Sequence, residues 1–251
     1  MTSPTAAPVV VTGAASGVGL TTVETLAARG VPVVALDRSP VPAVDGVRAV
    51  TGDVTDPDSW RAVRTTVEQL DPAGAGALIT CAGLIRVSPL LETPPSEFRR
   101  LFEVNVVGVL LGLQELLPAM IARGDGAVAA VCSVDSLFVE ESMSAYATSK
   151  GALLQLVRSA AVEHARHGVR INAVCPGAID TPLLRQHLDT VPDPGAARAR
   201  IENVTPAGRL LAPREIADLL LYLISPQATA MSGAAVVVDG GLTSTYDFRL
   251  A

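Results

Sequence analysis

Val9-Val10-Val11-Thr12-Gly13-Ala14-Ala15-Ser16-Gly17-Val18-Gly19 sets a short β-branched run against a glycine-rich turn, and a helix-like pattern then runs from Gly17 to Arg29. Glycines after a strand let the backbone turn tightly and come close to a pyrophosphate. The N–H groups and dipole of the following helix attract that group. A glycine-rich loop alone is weak evidence, and a plain tight turn is the alternative. The strand before and the helix after favour a nucleotide site at Gly13, Ser16, Gly17, Val18 and Gly19.

Beyond this unit, apolar runs alternate with helix-like segments down the whole chain. Val9 to Val11, Pro32 to Leu36, Val47 to Val50, Ala77 to Thr80, Ala127 to Cys132, Val169 to Val174 and Ala234 to Val238 read as seven strands. Gly17 to Arg29, Pro57 to Leu70, Ser96 to Ala122, Ala145 to His167 and Pro213 to Ile224 read as helices. Several carry start or stop signals such as Asp56-Pro57 and Arg29-Gly30. Strand and helix in alternation predict an α/β fold, a parallel sheet with helices on both faces, in one domain over residues 1–251. Asp180 to Gly208, with Pro182, Pro192, Pro194 and Pro206, fits neither a strand nor a core helix. An excursion of that length is usually functional or mobile, and it is a candidate substrate lid.

Composition narrows the functional classes. With 49% hydrophobic and 18% charged residues the chain has ample material for a core. A net charge of −6 at pH 7 argues against nucleic acid as partner, since polyanion binders show a basic face. Cys81, Cys132 and Cys175, odd in number and each ending an apolar run, read as reduced core thiols, with no metal site expected. Met1 to Pro8 shows neither the basic start nor the apolar run of a secretory signal. No apolar stretch reads as reaching the ~18 to 20 residues of a membrane span. A cytoplasmic protein without a membrane partner is the expectation.

Asp37 ends the second predicted strand, where a carboxylate can accept from both adenosine ribose hydroxyls and repel a 2′-phosphate. That favours NAD over NADP, although Arg38 beside it keeps NADP open and a solvated strand end is the bland alternative. Asp53, in Gly52-Asp53-Val54 after the third strand, can accept from an adenine amino group, or it can cap the helix starting near Pro57.

Of the 19 basic residues, 18 are arginine, and the one lysine is Lys150. Tyr146 stands four residues before it on a predicted helix, so both project from one face. A tyrosine has a pKa of about 10, too high for an efficient base near neutrality. Lowering it by ~3 units takes ~4 kcal/mol, about what one positive charge at ~4 Å supplies at an effective dielectric of ~20. Lys150 is that charge in this reading, an oxidised nicotinamide ring would add to it, and a compact ammonium can also bond a ribose hydroxyl; a surface pair without chemistry is the alternative. Ser133 closes the fifth strand, where it can hold a substrate oxygen beside Tyr146. Ser136 is close enough to be confused with it. Asn105 sits inside a long apolar helix, where an amide is costly unless bonded. It can bend the helix and hold a water leading from Lys150, or be satisfied by its own backbone.

These residues together resemble the short-chain dehydrogenase/reductase family in its form of roughly 250 residues. The resemblance rests on TGAASGVG at 12–19, Asn105, Ser133 thirteen before Tyr146, Tyr146-Ala147-Thr148-Ser149-Lys150, Pro176-Gly177 and Asp239-Gly240-Gly241. It implies a Rossmann-like seven-stranded sheet and catalysis by Asn105, Ser133, Tyr146 and Lys150. The nucleotide-binding set it implies adds Asp53, Val54, Cys81, Ala82, Gly83, Pro176, Gly177, Ile179 and Thr181. It also implies a homotetramer built partly on the Asn105 and Tyr146 helices. One departure stands out: the family's usual Asn-Ala-Gly after the fourth strand is Cys81-Ala82-Gly83. A thiol bonds more weakly than an amide, so some loss of stability or a shifted cofactor loop is expected. The expected reaction interconverts a secondary alcohol and a ketone, with Tyr146 as acid/base. Glu140 and Glu141 suggest a sugar-like or hydroxylated cyclic substrate, and Arg86 and Arg185 are candidate carboxylate contacts. The rivals are an NADP-dependent 3-oxoacyl ketoreductase and a catalytically idle NAD-binding scaffold.

Overall fold

The computed structural model describes residues 7–189 and 191–244. Met1 to Ala6, within the stretch read for a secretory signal, lie outside them, as does Thr190 within the predicted lid. Seven strands form one sheet: β1 (Val9–Thr12), β2 (Val33–Asp37), β3 (Val47–Thr51), β4 (Ala77–Thr80), β5 (Gly126–Val131), β6 (Val169–Pro176) and β7 (Ala235–Val238). Their order is β3-β2-β1-β4-β5-β6-β7 and every neighbouring pair is parallel. The chain winds outward from β1 to β3 and then crosses to β4 on the other side. The carboxyl ends of β1 and β4 therefore diverge, which opens the crevice where doubly wound sheets bind ligands.

The helices are α1 (Gly17–Ala27), α2 (Pro57–Leu70), α3 (Pro95–Phe102), α4 (Gly108–Arg123), α5 (Ser144–His164), α6 (Pro182–Leu188), α7 (Pro194–Val204) and α8 (Pro213–Ile224). Val9, Val11 and Ile79 point to one face, under Leu26 of α1 and Ile216 and Leu220 of α8. Val10, Val34 and Leu78 point to the other, under Val63 of α2, Leu113 and Leu116 of α4, and Leu153 and Val157 of α5. Both faces of the central strands are thus covered, so their sequences are continuous apolar runs rather than alternating ones.

The seven strands lie where the apolar runs place them, to within two residues at each end. Two differences have physical causes. The helix expected over 96–122 runs from Pro95 to Arg123, but a π-turn over Glu103–Val107 interrupts it at Asn105. By length and composition this run could cross a membrane, contrary to expectation, yet half of its most apolar window is buried, and Leu101, Leu113, Leu116 and Met120 are core residues. The 180–208 excursion is not irregular: α6 and α7 each open on proline behind a capping Thr181 or Asp193. They bury almost nothing, only Leu188 between them, so they lack the apolar stripe by which a helix is recognised in sequence.

Trp60 of α2 locks this helical layer to the sheet edge. It is 1% exposed, its Nε1 donates to the Val54 carbonyl at 2.8 Å, and its ring fills the space where a Gly112 side chain would stand. Trp60→Ala is expected to lower the unfolding free energy by about 3–5 kcal/mol, read by far-UV circular dichroism in urea. A loss below ~1 kcal/mol would contradict this packing.

Candidate active site

The crevice at the β1/β4 carboxyl ends encloses about 410 Å³. Its floor is the glycine loop. Gly13 has φ +67°, and a Cβ there would stand 2.6 Å from the Ala82 backbone nitrogen, so the loop and the β4 turn touch main chain to main chain. Gly17, at φ +53°, opens α1, and a Cβ on it would press on Thr181 at 3.2 Å. Ser16 is the N-cap but makes no side-chain cap bond, so the first-turn N–H groups of α1 stay available to an anion.

Asp37 is more than a strand end. Its Oδ2 accepts from the Ala15 N–H at 3.0 Å and its Oδ1 from Ser39 at 2.8 Å, which ties the glycine loop to the end of β2. Each carboxylate oxygen keeps a lone pair for a further donor. Asp53 does not cap α2. That role belongs to Asp56, which accepts from the Asp58 N–H and the Ser59 hydroxyl. Asp53 instead bonds the Thr55 N–H and hydroxyl through Oδ1, holding its loop against the crevice.

All the residues expected around a nucleotide line this one crevice: Gly13, Ser16, Gly17, Val18 and Gly19; Asp37 and Arg38; Asp53 and Val54; Cys81, Ala82 and Gly83; and Pro176, Gly177, Ile179 and Thr181. Ser133, Tyr146 and Lys150 line its far end. Leu183 and Gln186 of α6 line it too, and the sequence carries no sign of them because α6 itself shows no helical period. Asp239 holds the rim: its carboxylate accepts from Gly241, from the Thr243 N–H and from the Thr243 hydroxyl, and a side chain on Gly177 would press against it at 3.1 Å.

At the far end, Lys150 is buried and its Nζ donates to the Val131 carbonyl at 2.8 Å, 5.9 Å from the centre of the Tyr146 ring. Burial pulls the ammonium's pKa down, while the nearby Cys132, Cys81, Cys175 and Asp135 act the other way. Burial pushes the Tyr146 phenol above its ordinary value; the Ser133 hydroxyl opposes this, while Asp135, Cys132 and Glu140 add to the rise. Lys150 alone therefore does not give the lowered tyrosine expected from spacing. Both Lys150 and Tyr146 are disfavoured as ions by their surroundings.

Ser133 and Ser136 separate cleanly. The Ser136 hydroxyl accepts the Ser133 N–H at 3.3 Å as part of a cap, whereas Ser133 faces the crevice. The Asn105 amide uses both Nδ2 protons and one Oδ1 lone pair: Oδ1 accepts from Leu84 at 2.8 Å, and Nδ2 donates to the Leu84 carbonyl and to the Ser149 hydroxyl, each at 2.9 Å. Ser149 in turn donates to the Tyr146 carbonyl at 2.7 Å. The amide is thus satisfied by the loop and α5, not by its own helix, and it does not line the crevice. The expected bend is present as the π-turn.

Of the candidate substrate contacts, Arg185 pairs with Asp180 at 2.9 Å and Arg86 is exposed. Glu140 and Glu141 are exposed on the loop above Ser133. Partial burial raises the Glu140 carboxyl, and the charge of Asp135 adds to this. Asp135 is absent from the residues expected from sequence, although an acid two residues past a strand-ending serine is a signal that could have found it. No group of three or more His, Cys, Asp or Glu among the described residues is arranged to hold a metal ion.

Residues 13–243 match the family model described as Enoyl-(Acyl carrier protein) reductase. The chain is 38% identical over 250 residues to 2-(R)-hydroxypropyl-CoM dehydrogenase of Xanthobacter autotrophicus, covering 94% of this chain and 98% of that one. It is 37% identical over 251 residues to cis-4-hydroxycyclohexanecarboxylate dehydrogenase of Sinomonas cyclohexanicum, covering 94% and 96%. The ligand-free aldohexose dehydrogenase of Thermoplasma acidophilum superposes with a TM-score of 0.91 at 28% identity, over 98% of this chain and 97% of that one. The chain belongs to the short-chain dehydrogenase/reductase family. It is accordingly an oxidoreductase acting on CH–OH groups with a nicotinamide cofactor, and it interconverts alcohol and ketone.

Within that family, Cys81 is the departure. Thr12 supplies the link between β1 and β4 at this level: its carbonyl accepts the Cys81 N–H and its hydroxyl the Ala82 N–H, each at 3.2 Å. Both bonds go to backbone N–H groups and so do not depend on the side chain at position 81. Burial pushes the Cys81 thiol up to about 12, with Lys150 opposing. The thiolate is the reactive form. Iodoacetamide should therefore alkylate Cys81 slowly at pH 8, with a rate still climbing about tenfold per unit towards pH 10, measured by peptide mass spectrometry. A plateau below pH 9 would contradict the burial argument.

Proposed function

We propose that this chain is an NAD-dependent dehydrogenase that oxidises a secondary alcohol to a ketone, and reverses the reaction, with Tyr146 as the acid/base. The observation that carries this is the convergence of Tyr146, Lys150 and Ser133 at one end of a crevice whose other end holds the glycine loop and Asp37. The glycine contacts and the free N–H groups at the start of α1 fit a dinucleotide, held by Gly13 to Gly19, Asp37, Asp53 and the Pro176-Gly177 turn. Such a cofactor supplies the hydride acceptor and, when oxidised, a positive charge beside Tyr146. Tyr146 takes the hydroxyl proton, Ser133 holds the substrate oxygen, Lys150 favours phenolate, and Asn105 anchors the loop that frames them.

Asp37 at the end of β2 supports NAD over NADP, since its carboxylate repels a 2′-phosphate. Arg38 also lines the crevice and supports the rival NADP-dependent ketoreductase reading. The relatives acting on a cyclic alcohol or an aldohexose support a polar, hydroxylated cyclic substrate. The chain is read as one domain in which α6 and α7 close over the substrate. It is read as a homotetramer, to which the exposed Val162 of α5 offers an apolar surface, in the cytoplasm.

Fluorescence titration should show NADH binding at least ~10-fold tighter than NADPH, a difference of ~1.4 kcal/mol. The opposite order would select the NADP reading. In a panel of aldohexoses, cyclic alcohols and hydroxycyclohexanecarboxylates, Tyr146→Phe should lose at least ~100-fold in kcat while keeping its NADH affinity. Near-normal turnover in that variant would remove Tyr146 from the mechanism. The raised phenol fixes the sign of the pH dependence: oxidation, which needs phenolate, should quicken as pH rises from 7 to 10, while reduction, which needs the phenol, should hold across that range.

A further inference from the structure

Gln186 of α6 is a polar side chain on the crevice wall that neither the cofactor nor the proton chemistry uses. Thiols aside, the other polar side chains on that wall, among the described residues, belong to the glycine loop, to the ends of β2 and β3, to Thr181, or to the Ser133, Tyr146 and Lys150 group. Gln186 stands three residues after Leu183, which lines the crevice too, so the two share one face of α6. Its amide has no hydrogen-bond partner among the described residues. Two donor protons and a carbonyl oxygen are therefore open to a ligand.

The root of α6 fixes where that amide stands. The Asp180 N–H donates to the Leu211 carbonyl at 2.9 Å, Pro182 sets the first turn, and Thr181 Oγ1 accepts the Leu184 N–H at 3.4 Å. Thr181 lies against Gly17, at the start of α1 where a pyrophosphate would bind. Gln186, five residues on, is about 7.5 Å further along the helix, over the part of the crevice that the phosphates leave open. The charges near it are committed elsewhere: Arg185 pairs with Asp180 at 2.9 Å, Arg198 with the other Asp180 oxygen at 3.3 Å, and Lys150 bonds the Val131 carbonyl. Arg86 is not on the wall. On its α6 side the crevice thus presents a neutral amide beside an apolar Leu183.

We infer that Gln186 is a specificity-determining residue that reads a second, neutral oxygen on the ring of the substrate whose carbinol meets Tyr146. A hydroxyl suits it, because the amide can donate to that group or accept from it while Leu183 covers the ring carbons. A carboxylate in this place would leave water without a cation to pair with, which is costly. An unsubstituted ring would leave the amide unmatched when the crevice closes. The substrate class is therefore a cyclic diol, in preference to a cyclic hydroxy acid or a plain cyclic alcohol.

The inference rests on the secondary-alcohol reading, and the experiment separates the two. Oxidation of cyclohexanol, the cyclohexanediols and 4-hydroxycyclohexanecarboxylate is followed with full-length protein and either NAD or NADP. Wild type should favour a diol over cyclohexanol by ~10-fold in kcat/KM, the effect of one hydrogen bond of ~1.4 kcal/mol. It should favour that diol over the carboxylate as well. In Gln186→Leu the diol preference should vanish, chiefly through a raised KM. Gln186→Glu, which still accepts from a hydroxyl, should keep the preference, and Gln186→Arg should turn it towards the carboxylate. Gln186 is exposed and α6 buries only Leu188, so these variants should fold. A wild type that favours cyclohexanol or the carboxylate, or an unchanged diol preference in Gln186→Leu, would overturn the inference and leave the dehydrogenase reading standing. So would a Gln186→Leu variant that loses NADH affinity while its diol preference holds, since the amide would then serve the cofactor. A wild type that oxidises no alcohol with either cofactor would overturn the dehydrogenase reading and this inference with it.

Discussion

Lys150 is a buried ammonium, and removing such a charge from water costs several kcal/mol unless the protein supplies compensating dipoles. Here the compensation is the Val131 carbonyl at the end of β5, with polarizable thiols close by. That requirement fixes α5 against the carboxyl edge of the sheet, because the helix must deliver Nζ to that one carbonyl. Tyr146, one turn earlier, is carried to the same edge. A guanidinium could not replace the ammonium, since its planar fork needs several acceptors and more room. This accounts for the one lysine in a chain otherwise served by 18 arginines.

The second organising tie runs through Asn105. A mid-helix amide with 0% exposure has to find partners elsewhere. The π-turn at Glu103–Val107 is the distortion that accompanies it. The amide then clamps Leu84, just past the Cys81-Ala82-Gly83 turn, and through Ser149 it reaches the backbone of Tyr146. The cofactor end and the catalytic end are therefore joined by one hydrogen-bonded path. With Cys81 in place of the family asparagine, Thr12 still bonds the Ala82 N–H and the glycine loop and the β4 turn stay in contact.

The strands are legible in the sequence because a sheet covered on both faces writes itself as uninterrupted Val, Ala and Ile runs. Helices α2 and α8 can be placed to the residue because proline marks the start of each. Helices α6 and α7 stay hidden because they bury one side chain between them and so show no period. The π-turn is hidden because nothing local distinguishes Asn105 from a solvated amide; its partners are 21 and 44 residues away. Asp37 and Asp53 fall at the expected place, but their backbone bonds depend on loops folding back across the crevice, which no local pattern encodes. Spacing brings Tyr146 and Lys150 together but says nothing about desolvation. The phenol is accordingly raised where proximity to a lysine suggests that it should fall.

A tyrosine kept protonated by burial in the free protein becomes a base only when a positive charge arrives beside it. The direct test is an ultraviolet difference titration, wild type minus Tyr146→Phe, with and without saturating NAD. The expected result is a phenolate signal appearing above the ordinary tyrosine value of about 10 in the free protein and moving to lower pH when NAD is bound. A signal at the same pH in both states, or one below ~10 without cofactor, would contradict it.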